Sequence, residues 1–229
     1  KMGILEYILV TPSHHRVHHA INPQYLDKNF SQIFIIWDKL FGTFQPELKD
    51  VKPVYGTLRP ASTWNPIIIN FKHLFQLIKD AWHAQNIIDK FKIWFMPTGW
   101  RPKDVEENYP LKQIDDPYSQ VKYNTNSSIS ILSWTWLQHG ITTLLMFHLF
   151  SIIGDTTTTM HYLYALFLLI HIFSFTATLD HSYFAIVADV IKICLGGFII
   201  YSQNYSWFGL NEIFVTGFIF YFITSLFFT

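Results

Sequence analysis

From Asn124 to Thr229 the chain carries a single basic residue, Lys192, and four acidic ones, Asp155, Asp180, Asp189 and Glu212. So long a stretch with so few charges cannot dress itself as a solvated globular surface, because charged side chains make up much of such a surface. It breaks into four apolar segments, roughly Ile129–Ile153, Met160–Leu179, Tyr183–Tyr201 and Asn211–Phe228. Each is close to the about 20 residues that a helix needs to cross a bilayer. Backbone N–H and C=O groups in hydrocarbon must pair within their own segment, so helices are the expected form. Trp134, Trp136, Tyr162, Tyr164, Tyr201, Tyr205 and Trp207 fall near the segment ends, where interfacial aromatics belong.

The rest of the chain is charged. Eleven of the sixteen Lys and Arg residues lie between Lys49 and Lys122, immediately before the first apolar segment. The positive-inside rule makes that side cytoplasmic, with the Asp180 gap and the C-terminus on the same side. Formal net charge is zero, so there is no basic field to recruit nucleic acid. One cysteine, Cys194, excludes an internal disulfide framework and a cysteine-based zinc site. No glycine-rich phosphate loop or nucleophile elbow is present.

The chemistry sits at the other end. His14, His15, His18 and His19 fall within six positions, on a chain with eleven histidines in all. Neutral imidazole is the commonest metal ligand and suits zinc, copper, iron and nickel. On a helix His15 is i,i+3 to His18 and i,i+4 to His19, so the three rings share one face. His14 sits one step round, a further candidate ligand or a support for the others. A plain surface histidine tract is the alternative, but the interruption by Arg16-Val17 argues against a tag. Asp27, Lys28, Asn29 and Asp38 form a polar surround able to orient metal-bound imidazoles, with no assignment of which group meets which ring.

Thr11-Pro12-Ser13-His14-His15-Arg16-Val17-His18-His19, then Asn22-Pro23, Asp27-Lys28-Asn29-Phe30 and Ile35 through Phe44, resemble the fatty acid hydroxylase and sterol desaturase superfamily. His15 to His19 match its last H-x-x-H-H box. Val54-Tyr55-Gly56, Phe71-Lys72-His73-Leu74-Phe75 and Pro97-Thr98-Gly99-Trp100-Arg101-Pro102 are closer to the branch that acts on alkylglycerols than to the sterol enzymes. The resemblance is strong over residues 4 to about 103 and loose beyond.

It implies an integral-membrane, iron-dependent lipid monooxygenase with a di-iron centre, in which His15, His18 and His19 supply part of a larger histidine set. It further implies dioxygen, an electron donor (tetrahydrobiopterin in the alkylglycerol branch) and hydroxylation of the carbon beside an ether oxygen. The superfamily's earlier boxes are not in this sequence, which opens on Lys1, so a fragment inactive by itself is expected. A sterol, fatty acid or other lipid hydroxylase or desaturase is the alternative within enzymes. A transporter or scaffold with a metal-binding segment is the alternative outside them. Localisation would be the endoplasmic reticulum or a bacterial inner membrane, with the box facing the cytoplasm.

The expected architecture is all-α and multi-pass: residues 1–45 carry the last histidine box, 46–123 form an interfacial linker region, and 124–229 the transmembrane tail. Gly3 to Val10 reads as the end of a spanning helix. Ser31 to Phe44 reads as a short helix pressed on the histidine helix, with Trp37 and Phe41 packing and Gly42 ending it. From Ile67 to about Phe95 the apolar spacing is helical, with Phe71, Leu74, Phe75, Ile78 and Trp82 on one stripe. Two amphipathic helices in the membrane interface, or helices packed on a soluble cap, both fit that pattern. In the tail, His139, His148, His161 and His171 read as neutral histidines bonding between helices. Asp189 and Lys192 read as a self-neutralising pair, and Gly196-Gly197 as a point of close helix approach.

Overall fold

The computed structural model describes residues 2–229, and among these the regular structure is helical, with no strand. The helices are α1 (Pro12–His18), α2 (Ile36–Phe41), α3 (Pro66–His83), α4 (Ile87–Lys92), α5 (Lys103–Asn108), α6 (Ile129–Ile152), α7 (Thr158–Leu179), α8 (Phe184–Ser202) and α9 (Glu212–Phe228). The chain divides into two compact units, Lys1–Ala61 with Leu77–Lys122, and Ser62–Gln76 with Tyr123–Thr229. Residues 46–61 and 77–122 thus group with the histidine segment, and 62–76 with the tail.

The first unit is made of short helices tied by side chains that bond to backbone. Asn22, fully buried, accepts from Val54 N–H at 2.7 Å and donates to the Lys52 carbonyl at 3.1 Å and to Tyr118 Oη at 2.9 Å. The Tyr25 hydroxyl donates to the Val51 carbonyl at 2.7 Å and accepts from Leu48 N–H at 2.9 Å. These bonds give the proline-rich stretch after residue 46 the partners that a ladder would otherwise supply. Val17, Ala20 and Tyr25 form the small apolar core beneath α1.

Two expectations for this unit are corrected. Gly3–Tyr7 is a short 3-10 turn with no buried residue, and Leu9 beyond it pairs as an isolated antiparallel bridge with Phe34. Eight residues, with Glu6 among them, are too few to bury a helix by themselves, and the bridge takes the backbone instead. Trp37 and Phe41 stack on one another, with ring centroids 6.4 Å apart, and both stay exposed. Ile35 and Asp38 are the buried residues there. Gly42 ends α2 in the left-handed conformation (φ 74°), which costs glycine nothing.

The second unit is a helical bundle in which α7 packs on α8 and α6, and α8 on α9. Ser128, Thr157 and Asn211 cap α6, α7 and α9, each accepting a backbone N–H from the first turn. Tyr164, Phe167, Ile199 and Trp207 are fully buried at its centre. Trp134, Tyr164 and Trp207 are therefore core residues rather than interfacial ones. Trp207 reaches Tyr164, Phe167 and Phe218, with centroids 5.4, 4.7 and 4.7 Å away, because the turn after α8 folds it inward. Trp136, Tyr162, Tyr201 and Tyr205 are exposed.

Among the described residues, α7 and α8 are long and apolar enough to cross a membrane. The apolar helix α9 is shorter, at 17 residues. Although α6 has 24 residues, Gln138, His139 and several hydroxyls lower its apolar character.

Candidate metal centre

The helix carrying the histidines is short, and its first turn is built to be rigid. Thr11 precedes it in extended conformation, Pro12 takes the first position where no N–H is needed, and Thr11 and His14 cap reciprocally. His14 Nδ1 accepts from Thr11 N–H at 3.3 Å, and its ring sits edge-on to Phe44 at 5.6 Å. His14 is 3% exposed, and burial holds its pKa below the ordinary imidazole value. Its place in the structure is the cap, away from the other three rings.

Those three are exposed and adjacent. His15 and His19 face each other with Nε2–Nε2 at 3.0 Å and ring centroids 4.4 Å apart. His18 lies 5.2 Å from His19 and 6.1 Å from His15, centroid to centroid. Two imidazole nitrogens held at ~2.1 Å from one ion, at a right angle, stand about 3.0 Å apart. The His15–His19 pair fits that spacing. Among the described residues, however, no group of three or more His, Cys, Asp or Glu side chains is gathered closely enough to hold a metal ion.

His18 is prepared differently. Its Nδ1 lies 3.3 Å from the Lys28 carbonyl oxygen. A carbonyl only accepts, so Nδ1 carries the proton and Nε2 keeps its lone pair, the form a metal ligand needs. Lys28 stands between Asp27 and Asn29, both with left-handed backbone (φ 56° and 53°), which turns the carbonyl toward the ring.

The polar surround acts through backbone rather than by touching the three rings. Asn29, buried, donates to the His14 carbonyl at 3.3 Å and to the Gln45 carbonyl at 2.8 Å, and accepts from Gln45 N–H at 2.9 Å. Asp38 accepts from Phe30 N–H, Ser31 N–H and the Thr43 hydroxyl at 2.8, 3.0 and 2.7 Å. Burial by itself raises the Asp38 pKa, but these donors outweigh it and hold the carboxyl below its usual value. The side chain of Asp27 is exposed. Arg16, between the histidines, forms a two-pronged pair with Glu47, its Nε at 3.0 Å.

With this geometry in view, residues 1–43 match the model of the family described as "Fatty acid hydroxylase". Over its histidine segment the chain is similar to that family. Alkylglycerol monooxygenase of Homo sapiens is 37% identical over 140 residues, 61% of this chain and 31% of the human protein. The Danio rerio and Xenopus tropicalis proteins of that name are 43% and 41% identical over 101 residues, 44% of this chain and 22% of each relative. The chain therefore spans less than a third of the length of these curated relatives. No solved structure matches it.

Two features of the chain escaped the sequence. Arg101 forms a buried pair with Asp80, Nε–Oδ2 2.7 Å and Nη2–Oδ1 2.8 Å, and also donates to the Tyr109 carbonyl at 2.9 Å. Only the motif Trp100-Arg101-Pro102 hinted at it, and nothing in that motif points back 21 residues. Asp180, which caps the end of α7, accepts from Trp64 N–H at 2.8 Å, from the Tyr123 hydroxyl at 2.9 Å and from the Thr63 hydroxyl.

Of the tail residues singled out in the sequence, His171, Asp189 and Lys192 join one buried chain of hydrogen bonds. Asp189 pairs with Lys192 and accepts from Ser174 and Ser225, each at 2.8 Å. Lys192 donates to Ser225 at 2.8 Å and to Tyr221 Oη at 3.1 Å. Tyr221 in turn meets Gln138 at 2.7 Å and His171 Nε2 at 3.0 Å. Four helices are linked in this way. His148 also bonds between helices, to Tyr164 Oη at 3.0 Å. His161 instead meets Thr156 in its own loop at 2.7 Å, and His139 lies exposed beside Trp136.

Proposed function

We propose that this chain is part of a membrane-bound lipid monooxygenase with a non-haem di-iron centre, and that alkylglycerols are its substrates. The observation that carries the reading is the His15–His19 approach at 3.0 Å beside a His18 whose bond to Lys28 leaves Nε2 bare. His15, His18 and His19 would hold iron together with histidines from outside this sequence, as the two-nitrogen fit requires. Bound iron would supply the one-electron chemistry that activates dioxygen. This chain's residues fix ring tautomer and position: Lys28 through its carbonyl, Asn29 and Asp38 through the loop that carries it, and Thr11 with His14 through the helix cap.

The alkylglycerol reading rests on the names of the relatives and on similarity that runs well past the histidine segment, over up to 140 residues. Hydroxylation beside the ether oxygen gives a hemiacetal that collapses to aldehyde and glycerol, with tetrahydrobiopterin as reductant. A bilayer-held enzyme suits such a substrate, because the alkyl chain never has to enter water.

The membrane reading takes α7 and α8 as spans, with α6 and α9 completing four. One bilayer face is then marked by Asp180, since the residues just before α3 and α6 (Thr63, Trp64 and Tyr123) gather on it. The chain between those two anchors holds eight of the sixteen Lys and Arg residues, which supports a cytoplasmic assignment for that face.

The test is iron content and turnover of the longer polypeptide that contains this sequence, purified from membranes. Bound iron with oxygen- and biopterin-dependent release of aldehyde from an alkylglycerol is the expected result. Iron-free protein would overturn the metal assignment. Turnover of sterols with electrons from a cytochrome chain would replace the substrate.

A further inference from the structure

We propose that the outer face of α3, continued by Ile87, Phe91 and Phe95, lies in the headgroup–acyl boundary of an anionic bilayer. The starting observation is that α3 is inside out by the standard of a soluble protein. On a wheel of about 100° per residue, Ile68, Phe71, Leu74, Phe75, Ile78 and Trp82 share one face. All six are exposed, Trp82 to 81%. The buried residue of the helix is Asp80, about 180° from Phe71, where Arg101 holds it. At Asp80 protein thus covers the side of the helix opposite the stripe, while the stripe stays bare along its length.

The helix also begins at a fixed level. Trp64 N–H and the Thr63 hydroxyl bond to Asp180 at the end of α7, and Asn65 accepts from Ile67 and Ile68 N–H at 3.0 and 3.2 Å to start α3. If α7 spans the bilayer, as read above, Asp180 marks its surface, and α3 sets out from there. An 18-residue helix with an apolar stripe and a charged back, leaving from that level, fits a position in the interface plane.

The stripe does not end with α3. Lys90 donates to the Ala81 and Trp82 carbonyls at 3.1 and 2.9 Å, tying α4 to the end of α3. Ile87, Phe91 and Phe95 beside it are exposed, Phe95 to 87%. Charge favours an anionic surface: residues 66–95 hold four lysines and two aspartates, one of them paired with Arg101. Lys72 and Lys79 border the stripe, placed to keep their ammonium groups among headgroups while their stems lie on apolar surface.

The lone cysteine makes a direct test available. The whole chain is placed in nanodiscs of phosphatidylcholine and phosphatidylserine, and Cys194, exposed on α8, is spin-labelled as the check on spanning. In a Cys194→Ser background, single labels then go to Phe71→Cys, Phe75→Cys, Trp82→Cys and Phe91→Cys, with His73→Cys on the polar side. Collision with lipid-soluble oxygen is compared with collision with a water-soluble nickel chelate.

The expected result is a several-fold higher oxygen-to-nickel ratio at 71, 75, 82 and 91 than at 73. Nickel access at all five overturns the proposal. So does shielding of the stripe from both reagents, which would put a protein partner there. A lipid-exposed Cys194 label with a water-exposed stripe sinks this proposal alone. A water-exposed Cys194 label sinks the spanning reading as well.

Discussion

Arg101 closes two parallel hydrogen bonds on Asp80, at 2.7 and 2.8 Å, with both side chains almost wholly buried. The planar guanidinium matches the carboxylate fork and still has a donor left for the Tyr109 carbonyl. Removing one partner of such a pair strands the other charge, at a cost of roughly 3–5 kcal/mol. Arg101→Ala is therefore expected to unfold the segment around α5, seen as early proteolysis between residues 95 and 115. Arg101→Lys keeps the charge but loses the fork, and should fall between the two. Cleavage of the alanine variant at the wild-type rate would show that the pair is dispensable.

His14 and His18 should fail in different ways. His18→Ala in the longer polypeptide is expected to lose iron and turnover while still inserting in the membrane. His14→Ala removes a helix cap, with a cost of about 0.5–2 kcal/mol. It should lower the melting temperature while leaving iron bound. Full activity of His18→Ala would remove the ligand assignment, and an iron-free but stable His14→Ala would make His14 a ligand.

Asp38 gives the loop under the rings an acid limit. Its folded pKa lies below the ordinary value, so its contribution to stability is complete above the unfolded pKa of about 3.9. That contribution falls away as pH drops from there through the folded value. Asp38→Asn should lower stability near neutral pH and flatten the acid limb of the profile. A variant with the same acid slope as wild type would assign that limb to other groups.

Lys192 and Asp189 offer a test of pairing inside the bundle. Lys192→Met leaves the Asp189 carboxylate buried beside Ser174 and Ser225 without its cation. Asp189→Leu leaves the ammonium stranded in turn. Each single change is expected to destabilise the bundle by about 3–5 kcal/mol, and the double change by less than the sum. Denaturation of the four proteins in detergent measures the coupling, and additive losses would mean that the two charges do not act as a pair.

The amino-acid order was enough for whatever depends on neighbours along the chain. The low charge after Asn124 marked four helices to within a few residues, because apolar runs and polar gaps are local signals. The shared face of His15, His18 and His19 followed from helical spacing, and the end of α2 from Gly42. Contacts between distant segments were decided by tertiary structure alone, since nothing local encodes them. Gly196 and Gly197 look alike in sequence, yet a Cβ on Gly196 would run into the Phe222 ring and one on Gly197 would meet nothing. Spacing put His14 beside His15, His18 and His19, and the helix cap took it. The stripe on α3 was legible as apolar, but only the burial of Asp80 opposite showed which way it faces.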